Sequence, residues 1–180
     1  VHHDPELAGL GVISAHTLAE IRRVALPNGE PVPVLEEVLA ALGAFTVWVE
    51  VKTLPPEFDG RLLAMLAAGP GRYGVHAFDH RIIARLGRQA PALHRGVLSA
   101  SRPVDPVAQV TAAGAAVLWQ EASLTDADLV DVVHAAGKEL IVWTANTPDE
   151  LERLTRLGVD GLCGNYPDRS RAAVGLPPRP

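Results

Sequence analysis

The chain has 180 residues and is 48% hydrophobic, enough for one domain with a sizeable core. Sixteen basic against 21 acidic residues leave a net charge of −5, and with no basic cluster beyond Arg22-Arg23 this argues against a nucleic-acid footprint. The single cysteine, Cys163, excludes intrachain disulfides and cysteine-ligated zinc, and no apolar run approaches the ~20 residues that span a bilayer.

The chain opens on Val1, inside a polar string, with no initiator Met and no signal-peptide pattern. The expectation is therefore an internal piece of a longer protein, with localisation left open. Two helices are expected first, Leu18–Val24 and Val34–Leu42, with a Pro27-Asn28-Gly29 turn between them. Pro33 should begin the second and Gly43 end it. Strands are then expected at Phe45–Lys52, Tyr73–Phe78, Arg95–Ala100, Ala116–Gln120, Glu139–Thr144 and Gly161–Gly164. Amphipathic helices fall between them, at Arg61–Ala68, His80–Gln89, Pro106–Ala113, Asp126–Ala136 and Pro148–Leu157. Thr147-Pro148-Asp149-Glu150 is a capping box with Pro in the first turn, and Gly158 stops that helix. Thr125 with Asp128 reads as a similar box closed by Gly137, with His134 in the last turn complementing the helix dipole.

Strands alternating with helices predict a parallel sheet of βα units. No glycine-rich dinucleotide fingerprint follows any strand, which favours a barrel over a doubly wound sheet. A complete eight-unit barrel typically needs ~250 residues. The expected fold is therefore α/β, a TIM (β/α)8-type barrel with about six of its eight units present and the first two strands missing. Residues 1–180 read as one domain incomplete at its N-terminus, with Leu176–Pro180 as a loose tail.

The chemistry concentrates at Thr46-Val47-Trp48-Val49-Glu50-Val51-Lys52. Side chains alternate faces on a strand, so the three valines share one face and Thr46, Trp48, Glu50 and Lys52 the other. The second face brings an acid and a base together at the strand's C-terminal end, where α/β folds place their sites. Such a pair can hold a cation and a phosphate, or it can be a structural ion pair closing a barrel layer. In Val1-His2-His3-Asp4-Pro5 a histidine beside an aspartate can act as general acid or base with a fixed tautomer. His76 and His80 flank Phe78-Asp79, but Asp79 is better explained as a helix N-cap. Asp126, Asp128 and Asp131 read as a solvated helix face, and Glu121 as a candidate pocket residue without an assigned role.

Taken together these strings resemble the glycerophosphodiester phosphodiesterase family. Val1-His2-His3-Asp4-Pro5-Glu6-Leu7 looks like its His-Asp motif, and Thr17-Leu18-Ala19-Glu20-Ile21 like the helix that follows. Val32–Leu39 resembles the lead into the third barrel strand, and Glu50-Val51-Lys52 that strand's Glu-Ile-Lys motif. His134-Ala135-Ala136-Gly137, Val142-Trp143-Thr144-Ala145-Asn146 and Gly158-Val159-Asp160-Gly161 resemble the seventh and eighth units.

The resemblance implies a barrel that hydrolyses phosphodiesters to glycerol 3-phosphate and an alcohol with a divalent cation, Ca2+ or Mg2+. By position His3 would be the general acid, Glu50 a metal ligand and Lys52 a phosphate contact, with Trp143 lining the pocket against glycerol. Trp143 reads equally as a barrel-core aromatic. The family's His-Arg-Gly strand and the Glu-x-Asp strand after it do not precede Val1. Arg95-Gly96 after His94 repeats letters of the first, in what reads as coincidence. Ala77 stands where the family carries Ser before Phe-Asp, and Gly164-Asn165-Tyr166 where Thr-Asp-Arg is usual. The expected ligand is a small glycerophosphodiester, the expected activity of this chain by itself is low, and an open barrel edge would allow self-association. The alternatives are a non-catalytic phosphate-binding remnant or partner subunit, and an isomerase or aldolase using Lys52.

Overall fold

Six strands form one sheet: β3 (Thr46–Glu50), β4 (Arg72–Ala77), β5 (His94–Ser99), β6 (Val117–Glu121), β7 (Glu139–Trp143) and β8 (Gly161–Leu162). In this computed structural model residues 1–177 are described, so residues 178–180 of the expected tail lie outside them. The strands lie in the order β3-β4-β5-β6-β7-β8, and the pairs from β4 to β8 are parallel. Each strand thus neighbours the next in sequence, with none of the order reversal that defines a doubly wound sheet. The helices between them are α3 (Asp59–Ala68), α4 (His80–Gln89), α5 (Pro106–Ala112), α6 (Ala127–Ala135) and α7 (Pro148–Leu157). The expected α/β alternation holds, with boundaries shifted by one or two residues at most ends.

The chain divides into two compact units, Val1–Val47 with Ala64–Arg72, and Trp48–Leu63 with Tyr73 onward. The first contains a hairpin of β1 (Glu6–Leu7) and β2 (Gly11–Val12), then α1 (Leu18–Ile21) and α2 (Leu35–Leu42). Its small core is Leu7, Ile21 and Val32, ringed by Leu10, Ile13, Val24 and Leu26. Thr17 caps α1 in a full capping box with Glu20. α1 stops at Ile21, short of the expected Val24. α2 begins at Leu35, two residues after Pro33, because Val34 takes the N-cap position and donates its N–H to the Glu37 carboxylate at 3.0 Å.

In the second unit the sheet has two unlike faces. Val75, Ala77, Val97, Leu118, Leu140 and Val142 are fully or almost fully buried on the helix side, as are Ile83, Leu86, Val110, Leu129, Leu151 and Leu154 of the helices. The other face carries a cluster of Leu98, Val117 and Trp119, against which Trp48, Ile141 and Trp143 pack. Two glycines make this face possible. A Cβ on Gly74 would sit 2.6 Å from Trp48 Cε3, and one on Gly96 2.6 Å from Trp119 Cδ1. Strands β4 and β5 therefore leave the floor open where neighbouring strands carry indoles. Gly74→Ala should destabilise the protein by about 1–3 kcal/mol, because the Trp48 ring must leave its rotamer or the strand must shift. Urea unfolding followed by tryptophan emission checks this, and an unchanged midpoint would mean that the indole moves freely.

One local expectation needs correction. The cap of α6 is Asp126, which accepts the Leu129 N–H at 2.9 Å. Thr125 instead donates its hydroxyl to the Glu121 carbonyl at 3.1 Å and closes the 3-10 turn Ala122–Leu124. With two adjacent capping residues, the preceding turn claims the first. The aspartate face of α6 is solvent-exposed as expected, and Arg102 binds Asp126 and Asp128 on it, at 3.2 and 2.8 Å. Finally, α8 (Pro167–Ala173) follows β8 with no apolar periodicity to announce it.

Candidate active site

Glu50 ends β3 and Lys52 follows in a bend. Because Trp48 lies in the inner cluster, the two-residue alternation places Glu50 on that same face, one step nearer the C-terminal end. Lys52 Nζ donates to Glu50 Oε1 at 2.6 Å, and both side chains remain partly exposed. Pairing runs past the strand's formal end, since Val51 donates its N–H to the His76 carbonyl at 2.8 Å. The acid and base are thus held at a defined rim.

Beneath them sits an aromatic layer. His76 is 7% exposed, with ring centroids 4.0 Å from Trp119 and 5.7 Å from Trp48. Burial holds its pKa down at about 4, with the Glu50 carboxylate pulling the other way and the Lys52 ammonium adding to the depression. The imidazole is therefore neutral across the physiological range, and its Nδ1 has no hydrogen-bond partner among the described residues. Trp143 donates its indole N–H to the Trp119 carbonyl at 3.1 Å and meets Phe78 edge-to-face, with centroids 5.5 Å apart. It is at once part of the inner cluster and, through the exposed ring of Phe78, part of an apolar wall at the rim. Its reading as a barrel-core aromatic holds.

His3, in the first unit, shares a hydrogen bond between Nδ1 and Asp4 Oδ1 at 2.8 Å, and its side chain is 80% exposed. The acid–imidazole contact expected from the dipeptide is formed. His2 donates from Nδ1 to the Asp4 carbonyl at 3.0 Å. The remaining candidates have structural partners. Asp79 caps α4 through the Arg81 N–H, and His80 Nε2 donates to the Leu98 carbonyl at 2.8 Å. Glu121 accepts from the N–H and hydroxyl of Ser123. Arg95 spreads its guanidinium over the carbonyls of Ala90, Pro91, Leu93 and Gly114, a structural clasp. Cys163 has its thiol pushed up by burial and by the Glu50 charge, which keeps it protonated.

Sequence reasoning missed two features. Phe78 was passed over beside its capping neighbour Asp79, although its place after the Ala77 departure could have marked it. The cluster of Asp59, Arg85 and Gln89 had no local signal, since its members are brought together only by the fold.

Among the described residues, no three His, Cys, Asp or Glu side chains converge as a metal cage. A hard cation prefers six or more oxygen ligands. At the C-terminal ends of these strands Glu50 already holds Lys52, and Glu121 accepts from Ser123. The described donor set therefore does not by itself fit a tightly held Ca2+ or Mg2+.

A parallel sheet of consecutive βα units, with an acid–base pair at the C-terminal end of one strand above an aromatic floor, is the arrangement of an α/β barrel-type protein. The model of the glycerophosphoryl diester phosphodiesterase family matches residues 1–169, and the chain belongs to that family of phosphodiester hydrolases. It is 26% identical over 174 residues to a glycerophosphodiester phosphodiesterase of Caldanaerobacter subterraneus, covering 89% of this chain and 72% of that protein. A Bacillus subtilis glycerophosphodiester phosphodiesterase is 25% identical, with 93% and 69% covered. Among solved structures, an Oleispira antarctica phosphodiesterase in complex with the product sn-glycerol-3-phosphate superposes with a TM-score of 0.88. That match covers 97% of this chain and 78% of the other at 20% identity, a likeness of fold. A Parabacteroides distasonis glycerophosphodiester phosphodiesterase gives a TM-score of 0.78 at 21% identity, covering 97% and 76%.

Proposed function

We propose that this chain is the barrel domain, from the third strand to the eighth with its preceding segment, of an enzyme that cleaves glycerophosphodiesters into glycerol 3-phosphate and an alcohol. The observation that carries the reading is the Glu50–Lys52 pair, held at 2.6 Å at the end of an inner-face strand. Lys52 binds the phosphoryl oxygens and offsets the charge that grows on them as water adds to phosphorus. The bond from phosphorus to the alcohol oxygen then breaks. The family resemblance gives His3, whose Nδ1 meets Asp4 Oδ1 at 2.8 Å, the role of protonating that oxygen, and the proton lost by the attacking water passes to bulk solvent. Trp143 walls the glycerol side. Glu50 orients Lys52 and would offer one oxygen to a divalent cation, which would draw charge from the phosphoryl oxygens.

A second reading, a barrel face that binds phosphate without chemistry, is favoured by that same thin donor set. Family membership argues against the isomerase or aldolase use of Lys52. Residues 1–180 are proposed to form a single barrel domain, and self-association through an open sheet edge is part of the same proposal.

The test is titration of the chain with sn-glycerol 3-phosphate, followed by tryptophan emission or proton NMR. Lys52→Met should weaken binding by roughly tenfold, the loss expected for one charge-assisted contact. Trp143→Ala should weaken it less. Equal affinities for the parent chain and Lys52→Met would remove the phosphate assignment.

A further inference from the structure

Lys52 stands between two backbone anchors. Upstream, Val51 donates its N–H to the His76 carbonyl at 2.8 Å and extends the pairing of β3 with β4. Downstream, Arg85 of α4 donates from Nη2 to the Leu54 carbonyl at 2.7 Å. Only Lys52 and Thr53 lie between the two anchors. The chain that follows has little with which to hold itself, because Pro55 and Pro56 carry no N–H. This segment and α4 line an open cleft of about 430 Å³, and the Arg85 guanidinium bridges the two. The same guanidinium binds Asp59, the first residue of α3, through Nε at 2.6 Å and Nη2 at 2.9 Å. Gln89, one turn along α4, adds a bond to that carboxylate at 2.8 Å. One planar fork therefore pins both ends of residues 54–59 to a single helix. All of these residues belong to the second unit.

We infer that Arg85 is a positioning residue for the phosphate site: by holding the Leu54 carbonyl it fixes the backbone from which Lys52 reaches a phosphoryl oxygen. The inference rests on the assignment of the phosphate to Lys52. The charge of Arg85 is already matched by a carboxylate whose side chain is 2% exposed, so a direct hold on phosphate is not its role. Glu50 fixes the tip of the Lys52 side chain at 2.6 Å, and Arg85 fixes its root. The lysine stem is a flexible four-carbon chain, so a shift at the root carries through to the ammonium. A misplacement of about 1 Å in a functional group can cost up to about 10²-fold.

The test reads Lys52 directly. The chain has only two lysines, Lys52 and Lys138, so isotope-labelled lysine gives one set of NMR signals for the site and one for a control. Lys138 donates to the Ala115 carbonyl at 2.9 Å, near the N-terminal ends of β6 and β7. Titration with sn-glycerol 3-phosphate should move the Lys52 signals and leave those of Lys138 in place. Arg85→Gln should shift the free Lys52 signals and weaken binding about tenfold, with Lys138 unchanged. Arg85→Lys keeps a cation beside Asp59 without the planar fork. It should unfold in urea near the parent midpoint yet bind about as weakly as Arg85→Gln, which separates positioning from stability. Adding Arg85→Gln to Lys52→Met should cause no further loss, because the two act through one group. A further loss of similar size in that background overturns the inference. So does parent-like affinity in either Arg85 variant while Lys52→Met still binds weakly, and the phosphate assignment then stands. Parent-like affinity in Lys52→Met removes the phosphate assignment, and the role of Arg85 falls with it.

Discussion

Alone, this chain should release glycerol 3-phosphate from glycerophosphocholine at least ~10³-fold more slowly than the Bacillus subtilis glycerophosphodiester phosphodiesterase, since catalytic groups that act as a unit are lost as a unit. The physical case lies in the donor set. Among the described residues no three ligating side chains converge, and Glu50 is already held by Lys52. Water would have to supply most of a hard cation's shell, which lowers affinity steeply. Product release by the two proteins at rising calcium or magnesium is the measurement, and added metal should do little for this chain. Comparable turnover by both would show a site complete within the described residues, and the roles given to Glu50 and His3 would need rebuilding.

The parts of the fold legible in the sequence were those with a local cause. Val47, Val49 and Val51 alternate with Trp48 and Glu50, so the strand and its two faces follow from period alone, and the inner cluster holds Trp48 as that period requires. Thr147 and Glu150 form their box because both halves of it are local. The hairpin Glu6–Leu7 with Gly11–Val12 was invisible, since two residues carry no period. Residues Pro167–Ala173 had only a first-turn proline to mark them, without an apolar stripe. At Thr125 and Asp126 two capping residues stand side by side, and the choice was made by a carbonyl four residues back. The candidate site divides the same way. Glu50 and Lys52 are two residues apart on one strand, so their contact was readable. The Phe78–Trp143 wall and the burial of His76 between Trp48 and Trp119 join strands distant in sequence, which no window of sequence displays.

The Asp59–Arg85–Gln89 cluster is buried within its unit, and Asp59→Ala should cost about 3–5 kcal/mol, the penalty for leaving a buried charge without its partner. Asp59 begins α3 with its side chain 2% exposed. It accepts from Arg85 Nε and Nη2, and from Gln89 Nε2 at 2.8 Å, so three donors lose their acceptor at once. Asp59→Asn keeps the volume and one acceptor oxygen, and should cost less, about 1–3 kcal/mol. The pH dependence tests whether charge or shape is responsible. Hydrogen bonding from Arg85 holds the Asp59 carboxyl below its ordinary range, against the opposing pull of burial, with Gln89 helping. A carboxyl whose folded pKa lies below its unfolded value near ~3.9 adds stability that is fully present above that value. That stability is lost as pH falls through the folded pKa. The gap between the parent chain and Asp59→Asn should therefore be widest near neutrality and shrink on acidification below about pH 4. Urea unfolding read by tryptophan emission reports on the right part of the molecule, because Trp48, Trp119, Trp143 and Asp59 all lie in the second unit. A gap that stayed constant down to pH 2 would assign the cost to packing and leave the ion pair a bystander.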